Sequence, residues 1–178
     1  MDTQNSLRDG LLTVVLPAYN EQDSVPLAAD TICPLLEKEG IRHEILFVND
    51  GSRDGTWKAI QAQTARRPQV RGVCFSRNFG KEAAIFAGLA QAKGDCAVVL
   101  DCDLQHPPEK IVEMYRLWQQ GYQVVEGVKV TRGKESPLHT LAAKTFYHFI
   151  SSATKIDMSR ASDFKLLDRR AVDVLVAM

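Results

Sequence analysis

Two aspartates, one residue apart, follow the apolar run AVVL. In an extended chain, side chains two positions apart point to the same side, so Asp101 and Asp103 would face one point and Gln105 would join them. Pro107 restricts His106 to extended conformations, which favours that geometry. Two carboxylates with an amide oxygen suit Mg²⁺ or Mn²⁺, whose coordination substrate phosphates often complete. A solvated turn after a strand is the commoner origin of a lone D-x-D, so the rest of the chain must decide.

Apolar β-branched runs alternate with helix-like segments through the first 128 residues. The pattern predicts strands at 11–16, 44–48, 70–75, 95–100 and 122–128, with the first strand ending at Pro17. It predicts helices at 24–39, 54–67, 80–93 and 107–120, the first kinked or split by Pro34. A helix at 137–152, a short strand at 164–167 and a helix capped by Asp168 follow. This alternation indicates an α/β fold: a mainly parallel sheet with helices on both faces, and ligands beyond the carboxyl ends of the strands.

Composition limits the function classes. The 178 residues fit a single domain, with 45% hydrophobic and 25% charged residues. The net charge of zero gives no support to a nucleic-acid partner. Four cysteines without C-x-x-C spacing indicate a reduced, cytoplasmic chain with neither a zinc site nor a redox motif. No apolar run approaches about 18 residues, so no transmembrane segment is predicted. Because the chain stops within an apolar pattern, we expect 1–178 to be one catalytic domain, truncated before C-terminal membrane-associated segments.

Two common phosphate-binding motifs are absent from the sequence. No G-x-G-x-x-G follows the first strand, and no G-x-x-x-x-G-K-[ST] occurs. The sequence therefore argues against a dinucleotide-binding protein and against a P-loop NTPase. A nucleotide could still be held by an acid at the base, a metal at the diphosphate and a nearby lysine.

The ordered segments VVLPAYNE, VNDGSRDGT, SRNFGKEAAIFAGL, DCDLQHPPE and SDFKLLDRR strongly resemble glycosyltransferase family 2. Within that family the chain is similar to the polyprenyl-phosphate sugar transferases, which include dolichol-phosphate mannose synthases and bactoprenol glucosyltransferases. The resemblance implies a Rossmann-like, glycosyltransferase A-type fold. It also implies a nucleotide-sugar site formed by Pro17, Ala18, Tyr19, Glu21, Val48, Asp50, Lys81, Asp101 and Cys102.

The resemblance assigns the remaining roles as well. Asp101, Asp103 and Gln105 would hold the metal, with Asp101 directly bound or one step removed. A basic loop would meet the acceptor phosphate through Lys129, Arg132 and Lys134. Asp163 matches the position often assigned as catalytic base, so the catalytic set would be Asp101, Asp103 and Asp163. The acceptor is a phosphate monoester with a second pKa of about 6, so Asp163 could equally position the acceptor or a sugar hydroxyl.

The function implied is inverting, metal-dependent transfer of a sugar, from a UDP-sugar in the first instance, to polyprenyl phosphate at the cytoplasmic membrane face. The partners would be a nucleotide sugar, a polyprenyl-phosphate lipid and the membrane surface. One side of the 137–152 helix could face the core, lipid or a neighbouring subunit, which leaves a homo-oligomer open. Two alternatives remain: a family 2 enzyme with a saccharide acceptor, and a nucleotide-binding fragment that is inactive without its missing C-terminus.

Overall fold

The computed structural model describes residues 7–127 and 164–178. Within these residues the chain forms one six-stranded sheet and five helices. The strands are β1 (Leu12–Ala18), β2 (His43–Asn49), β3 (Val70–Cys74), β4 (Cys96–Val99), β5 (Val124–Glu126) and β6 (Lys165–Asp168). The helices are α1 (Ser24–Lys38), α2 (Thr56–Arg66), α3 (Lys81–Gln91), α4 (Glu109–Gln119) and α5 (Arg169–Val176). The predicted helix at 137–152 lies outside the described residues.

The strand order is β3-β2-β1-β4-β6-β5. Strand β1 pairs in parallel with β2 and β4, and β2 pairs in parallel with β3. Strand β6 runs antiparallel to both of its neighbours, β4 and β5. The α/β class is confirmed, and the antiparallel β6 makes the sheet mixed at one side.

Alternating residues of β1 enter two cores on opposite faces of the sheet. Val14 and Leu16 belong to the core under α1, α2 and α4, whereas Val15 belongs to the core under α3 and α5. All seven β1 residues are buried, as expected for a central strand covered on both faces. Burial of each Val or Leu side chain contributes roughly 1.5–3 kcal/mol, so this central strand is a rigid base for the loop that follows it.

The structure departs from a predicted strand end at Pro17 and from a predicted helix break at Pro34. Strand β1 does not end before Pro17 but continues through it to Ala18, with Pro17 in register with Val48 of β2. Proline lacks an N–H but keeps its carbonyl, so a proline near a strand end removes a single donor from the sheet. Helix α1 is not split at Pro34, because the buried face around Ile32 and Leu36 holds the helix against the sheet.

A buried carboxylate lies at the opposite edge of the sheet from the carboxyl ends of the parallel strands. Glu44 is 6% exposed and accepts hydrogen bonds from the Thr13 hydroxyl (2.7 Å), the Arg71 guanidinium (2.9 Å) and the Lys93 N–H (2.8 Å). Burial by itself would raise the pKa of Glu44, but these hydrogen bonds outweigh it and hold the pKa below its usual value. The charged form of Glu44 therefore ties the start of β2 to its neighbours.

None of the helices in residues 7–127 and 164–178 combines the length and the apolar character needed to cross a bilayer.

Candidate nucleotide-sugar site

The strand order reverses between β1 and β4. From β1 the chain adds β2 and β3 on one side and then crosses back to place β4 on the other side. Loops after two such strands diverge to opposite faces and leave a crevice, where open α/β sheets bind their ligands. A cavity of about 340 Å³ opens at this position. Its lining residues are Pro17, Ala18, Tyr19, Glu21, Asp50, Asn78, Gly80, Lys81, Ala84, Asp101, Cys102 and Asp103.

The loops after β1 and β2 are joined by reciprocal hydrogen bonds. The Asn20 N–H donates to Ser52 Oγ (2.9 Å), and the Arg53 N–H donates back to Asn20 Oδ1 (2.9 Å). The Glu21 N–H donates to Thr56 Oγ1 (2.7 Å) at the start of α2. Because each loop satisfies the backbone donors of the other, the two segments of sequence form one rigid wall of the cavity.

Asp50 connects this wall to the start of α3. Its side chain is 3% exposed, and its two oxygens accept hydrogen bonds from the N–H groups of Phe79 (2.7 Å) and Gly80 (3.0 Å). Gly51 has a φ of +63°, and a Cβ there would lie 2.2 Å from the carbonyl carbon of Arg77. Only glycine allows this approach of two backbones. The family resemblance places Asp50 in the nucleotide-sugar site, and a carboxylate with about four acceptor sites keeps room for a ligand contact beside these two bonds.

The first residue of α3 reaches the aspartates after β4. Lys81 Nζ lies 2.6 Å from Asp101 Oδ1, and both side chains are about one-third exposed (38% and 34%). A partly exposed ion pair of this kind contributes only about 0–1 kcal/mol to stability. Lys81 and Asp101 can therefore exchange partners when an anionic diphosphate and a cation bind, at little cost to the fold.

The segment after β4 turns, so the predicted extended geometry is wrong. Leu104 has a φ of +56°, and its N–H approaches the Asp101 carbonyl oxygen (3.4 Å) across the turn. Asp103 is exposed, and its Oδ1 accepts the N–H of Gln105 (3.1 Å). Asp101 and Asp103 nevertheless line the same cavity, whereas the exposed Gln105 side chain is not among its lining residues.

The donor chemistry of the cavity fits a hard divalent cation. Among the residues that the structure describes, no three Asp, Glu, His or Cys side chains converge as a complete metal site. Asp101 and Asp103 supply carboxylate oxygens at the cavity wall, and the substrate would have to complete the coordination. That arrangement is usual for Mg²⁺ and Mn²⁺ in phosphate-handling sites. The assignment of Gln105 as a ligand stays a prediction.

Two further predicted residues have different surroundings. Cys102 lines the cavity but is only 2% exposed, and burial raises the pKa of its thiol, so the thiol stays protonated. Val48 is fully buried in the core under α3, and the structure does not bring its side chain to the cavity. A contact from Val48 to a nucleotide would have to come from its backbone.

Four predicted residues lie outside the described residues: Lys129, Arg132, Lys134 and Asp163. The described chain resumes at Phe164, which precedes β6. Because β6 is antiparallel to β4, Lys165 pairs with Val99. The start of β6 therefore lies at the carboxyl end of β4, beside the aspartate turn.

Sequence reasoning missed the residues that hold the cavity together. The hydrogen bonds of Asn20, Ser52 and Thr56 had no signal in the sequence beyond the turn-forming types of these residues. Ala84, one turn into α3, lines the cavity because its small side chain leaves space there. The available signal for Ala84 is the alanine-rich composition of the helix that follows Gly80.

Comparison with known proteins identifies the family. The model of glycosyl transferase family 2 matches residues 13–174. The chain belongs to glycosyl transferase family 2. This family 2 chain is 38% identical over 162 residues to the uncharacterized glycosyltransferase YkcC of Bacillus subtilis, covering 90% of the chain and 50% of that protein. It is 37% identical over 164 residues to the bactoprenol glucosyl transferase of Shigella phage SfV, covering 91% and 53%. The chain therefore spans about half the length of these relatives.

Solved structures of other proteins share the fold. One is the mannosyltransferase PcManGT from Pyrobaculum calidifontis in complex with GDP-Man and Mn²⁺, with a TM-score of 0.64 and 20% identity over 94% of this chain and 47% of that one. Another is glucosyl-3-phosphoglycerate synthase from Mycobacterium tuberculosis with Mn²⁺, UDP and glucosyl-3-phosphoglycerate. Its TM-score is 0.62, at 22% identity over 93% of this chain and 62% of that one. These matches confirm the predicted glycosyltransferase A-type, Rossmann-like fold.

Proposed function

We propose that this family 2 chain binds a nucleotide sugar, a UDP-sugar in the first instance, and transfers the sugar with inversion to polyprenyl phosphate at the cytoplasmic membrane face. The observation that carries the proposal is the cavity between β1 and β4. Its lining includes Tyr19 and Asp50, an aromatic ring and a carboxylate suited to a nucleobase, and Lys81 with the two aspartates, suited to a diphosphate with a cation.

The lipid acceptor rests on relatives. Relatives from Shigella phages SfV and SfII are named bactoprenol glucosyl transferases and match this chain at 37% identity. Their names support a polyprenyl-phosphate acceptor and a glucose donor. The Mn²⁺ and the nucleotides named in the two solved structures support a divalent cation and a nucleotide-sugar donor.

The reaction divides into binding and displacement. Tyr19, Asp50 and the joined loops would orient the nucleoside. Lys81 would leave Asp101 and contact the diphosphate, which would free the Asp101 carboxylate for the cation. An acceptor phosphate oxygen attacks the anomeric carbon from the face opposite the diphosphate; the new C–O bond forms as the bond to the diphosphate oxygen breaks, and that oxygen keeps the electron pair. A bound divalent cation would supply Lewis-acid neutralisation of the diphosphate charge. The acceptor monoester is largely dianionic at pH 7, so Lys129, Arg132 and Lys134 would hold it while Asp163 positions it or accepts a residual proton.

The test is a calorimetric titration of the purified protein with UDP-glucose, GDP-mannose and the corresponding nucleoside diphosphates, each with Mg²⁺, with Mn²⁺ and with chelator. We expect metal-dependent binding of the uridine ligands. Transfer is then measured on membranes containing the protein, with polyprenyl phosphate and with saccharide acceptors. Binding followed by transfer to a saccharide alone would refute the lipid acceptor, and absence of any metal-dependent nucleotide binding would refute the donor assignment.

A further inference from the structure

The ring of His106 stacks on the ring of Phe164. The ring centroids are 4.9 Å apart and the planes differ by 25°. Phe164 is 2% exposed and belongs to the core under α1, α2 and α4. His106 is half-buried in the turn after β4. The stack therefore joins the turn after β4 to the residue that precedes β6.

Phe164 also contacts Gly127, which follows β5. The Gly127 N–H donates to the Phe164 carbonyl oxygen (2.9 Å). A Cβ on Gly127 would lie 2.5 Å from Cδ1 of the Phe164 ring, which is closer than carbon atoms approach without a shift. An added methyl group at Gly127 would therefore push the Phe164 ring and disturb its stack on His106.

His106 lies three residues after Asp103, a predicted metal ligand. Gln105 precedes His106, and its N–H donates to Asp103 Oδ1 (3.1 Å). Leu104 holds a left-handed backbone conformation, which costs a non-glycine residue about 1 kcal/mol or more and so needs outside support. Pro107 narrows the backbone freedom of His106 from the other side. The stack anchors His106 and so restrains the end of the turn in which the Gln105 N–H donates to the Asp103 carboxylate.

We propose that the His106–Phe164 stack is a positioning element. It holds the Asp103 carboxylate in place for the cation and joins the turn after β4 to β6. His106 acts through the face of its ring and not through a ring nitrogen. This inference rests on the proposed function, because it concerns the same cation and diphosphate. It adds His106, Phe164 and Gly127 as positioning residues outside the nucleotide-sugar set.

The test compares His106→Ala with His106→Phe. The phenyl ring keeps the stack but has no nitrogen to bind a metal or carry a proton. The readout is the dissociation constant of Mn²⁺ in the presence of UDP, measured by calorimetry without acceptor. Because an aromatic pair contributes about 0.5–1.5 kcal/mol, H106A should bind Mn²⁺ about two- to tenfold more weakly, and H106F should stay within about twofold of wild type.

Gly127→Ala disturbs the same stack without touching His106, and it should weaken Mn²⁺ binding like H106A. The matched controls lie away from the cavity. His43→Ala changes the first residue of β2, at the end of that strand away from the cavity, and Gly72→Ala in β3 places a Cβ 2.6 Å from Ile60 of α2. Both controls should keep the wild-type Mn²⁺ constant, and thermal unfolding reports any loss of fold separately. If G127A does not fold, the H106A and H106F pair still decides.

A second readout needs no ligand. The Hε1 proton of His106 should resonate upfield of its unstructured position in wild type, because it lies near the Phe164 ring, and should return in Phe164→Leu. An unshifted wild-type resonance, an H106A variant that binds Mn²⁺ normally, or an H106F variant as weak as H106A would each overturn the inference while the proposed function stands. Absence of metal-dependent UDP binding by the wild type would overturn both.

Discussion

Replacement of Asp50 by asparagine tests whether Asp50 holds the loop after β2 to the start of α3. Both Asp50 oxygens accept backbone N–H groups, from Phe79 and Gly80, in a place that is 3% exposed. Asparagine has nearly the same shape but offers one oxygen and one NH₂ group. One of the two backbone N–H groups would then face another donor, so the protein should lose stability even when no nucleotide is present.

The size of the effect follows from the two hydrogen bonds. A hydrogen bond to a charged acceptor contributes about 1.5–3 kcal/mol, and a buried donor without an acceptor costs about 1–3 kcal/mol. Asparagine keeps one neutral hydrogen bond and is cheaper to bury than a carboxylate, which offsets part of the loss. We therefore expect the free energy of unfolding to fall by about 2 kcal/mol, a large share of the roughly 5–15 kcal/mol typical of a folded domain.

The assay is urea unfolding of the protein without ligand, followed by circular dichroism. With an m-value of about 2 kcal/mol per molar urea, D50N should unfold at about 1 M lower urea than wild type. The matched control is Asp103→Asn, an exposed aspartate whose Oδ1 accepts the Gln105 N–H in a way that asparagine can repeat. D103N should change stability by less than about 0.5 kcal/mol and yet lose metal-dependent nucleotide binding. A D50N midpoint equal to that of wild type would show that Asp50 does not hold the start of α3.

Two other predictions concern titratable groups. Because the pKa of Glu44 is lowered in the fold, its carboxylate stabilises the protein above the unfolded pKa of about 4.3, and this contribution is lost as pH falls through the lower folded value. Glu44→Gln should therefore be less stable than wild type near neutral pH, with the difference shrinking towards about pH 3 in thermal unfolding; a constant difference would contradict the lowered pKa. Burial raises the pKa of Cys33 to about 11 and also raises the pKa of Cys102, whereas Cys74 is exposed. Iodoacetamide at neutral pH should thus label Cys74 in the folded protein and leave Cys102 intact in mass spectra, and rapid labelling of Cys102 would refute its buried state.

Local patterns were enough to predict most elements of the fold. The central strands are short, β-branched and wholly apolar, and such runs are typical of parallel strands that are covered on both faces. The last helix begins as predicted, with Asp168 Oδ1 accepting the Arg170 N–H. The predicted strand end at Pro17 and the predicted split at Pro34 failed because the cost of a proline is local, whereas the burial that offsets it comes from neighbouring strands and helices.

The candidate site could be predicted as a set of residues but not as a geometry. The motifs at the ends of β1, β2, β3 and β4 located the cavity walls, since the carboxyl ends of these parallel strands lie at the same edge of the sheet. The extended D-x-D failed because an i, i+2 rule describes only an isolated strand. In the folded chain the strand ends at Val99, and the turn that follows carries Leu104 with a positive φ.

By itself, the sequence determined the residue types at each strand end, and therefore the family and the kind of chemistry. Only the tertiary structure decided that Asp50 holds the start of α3, that Lys81 pairs with Asp101, and that His106 stacks on Phe164. The physical reason is separation along the chain. Local patterns report which backbone conformation a segment prefers, whereas these contacts join residues that are brought together only when the sheet orders its strands and places β4 beside β1 and β6.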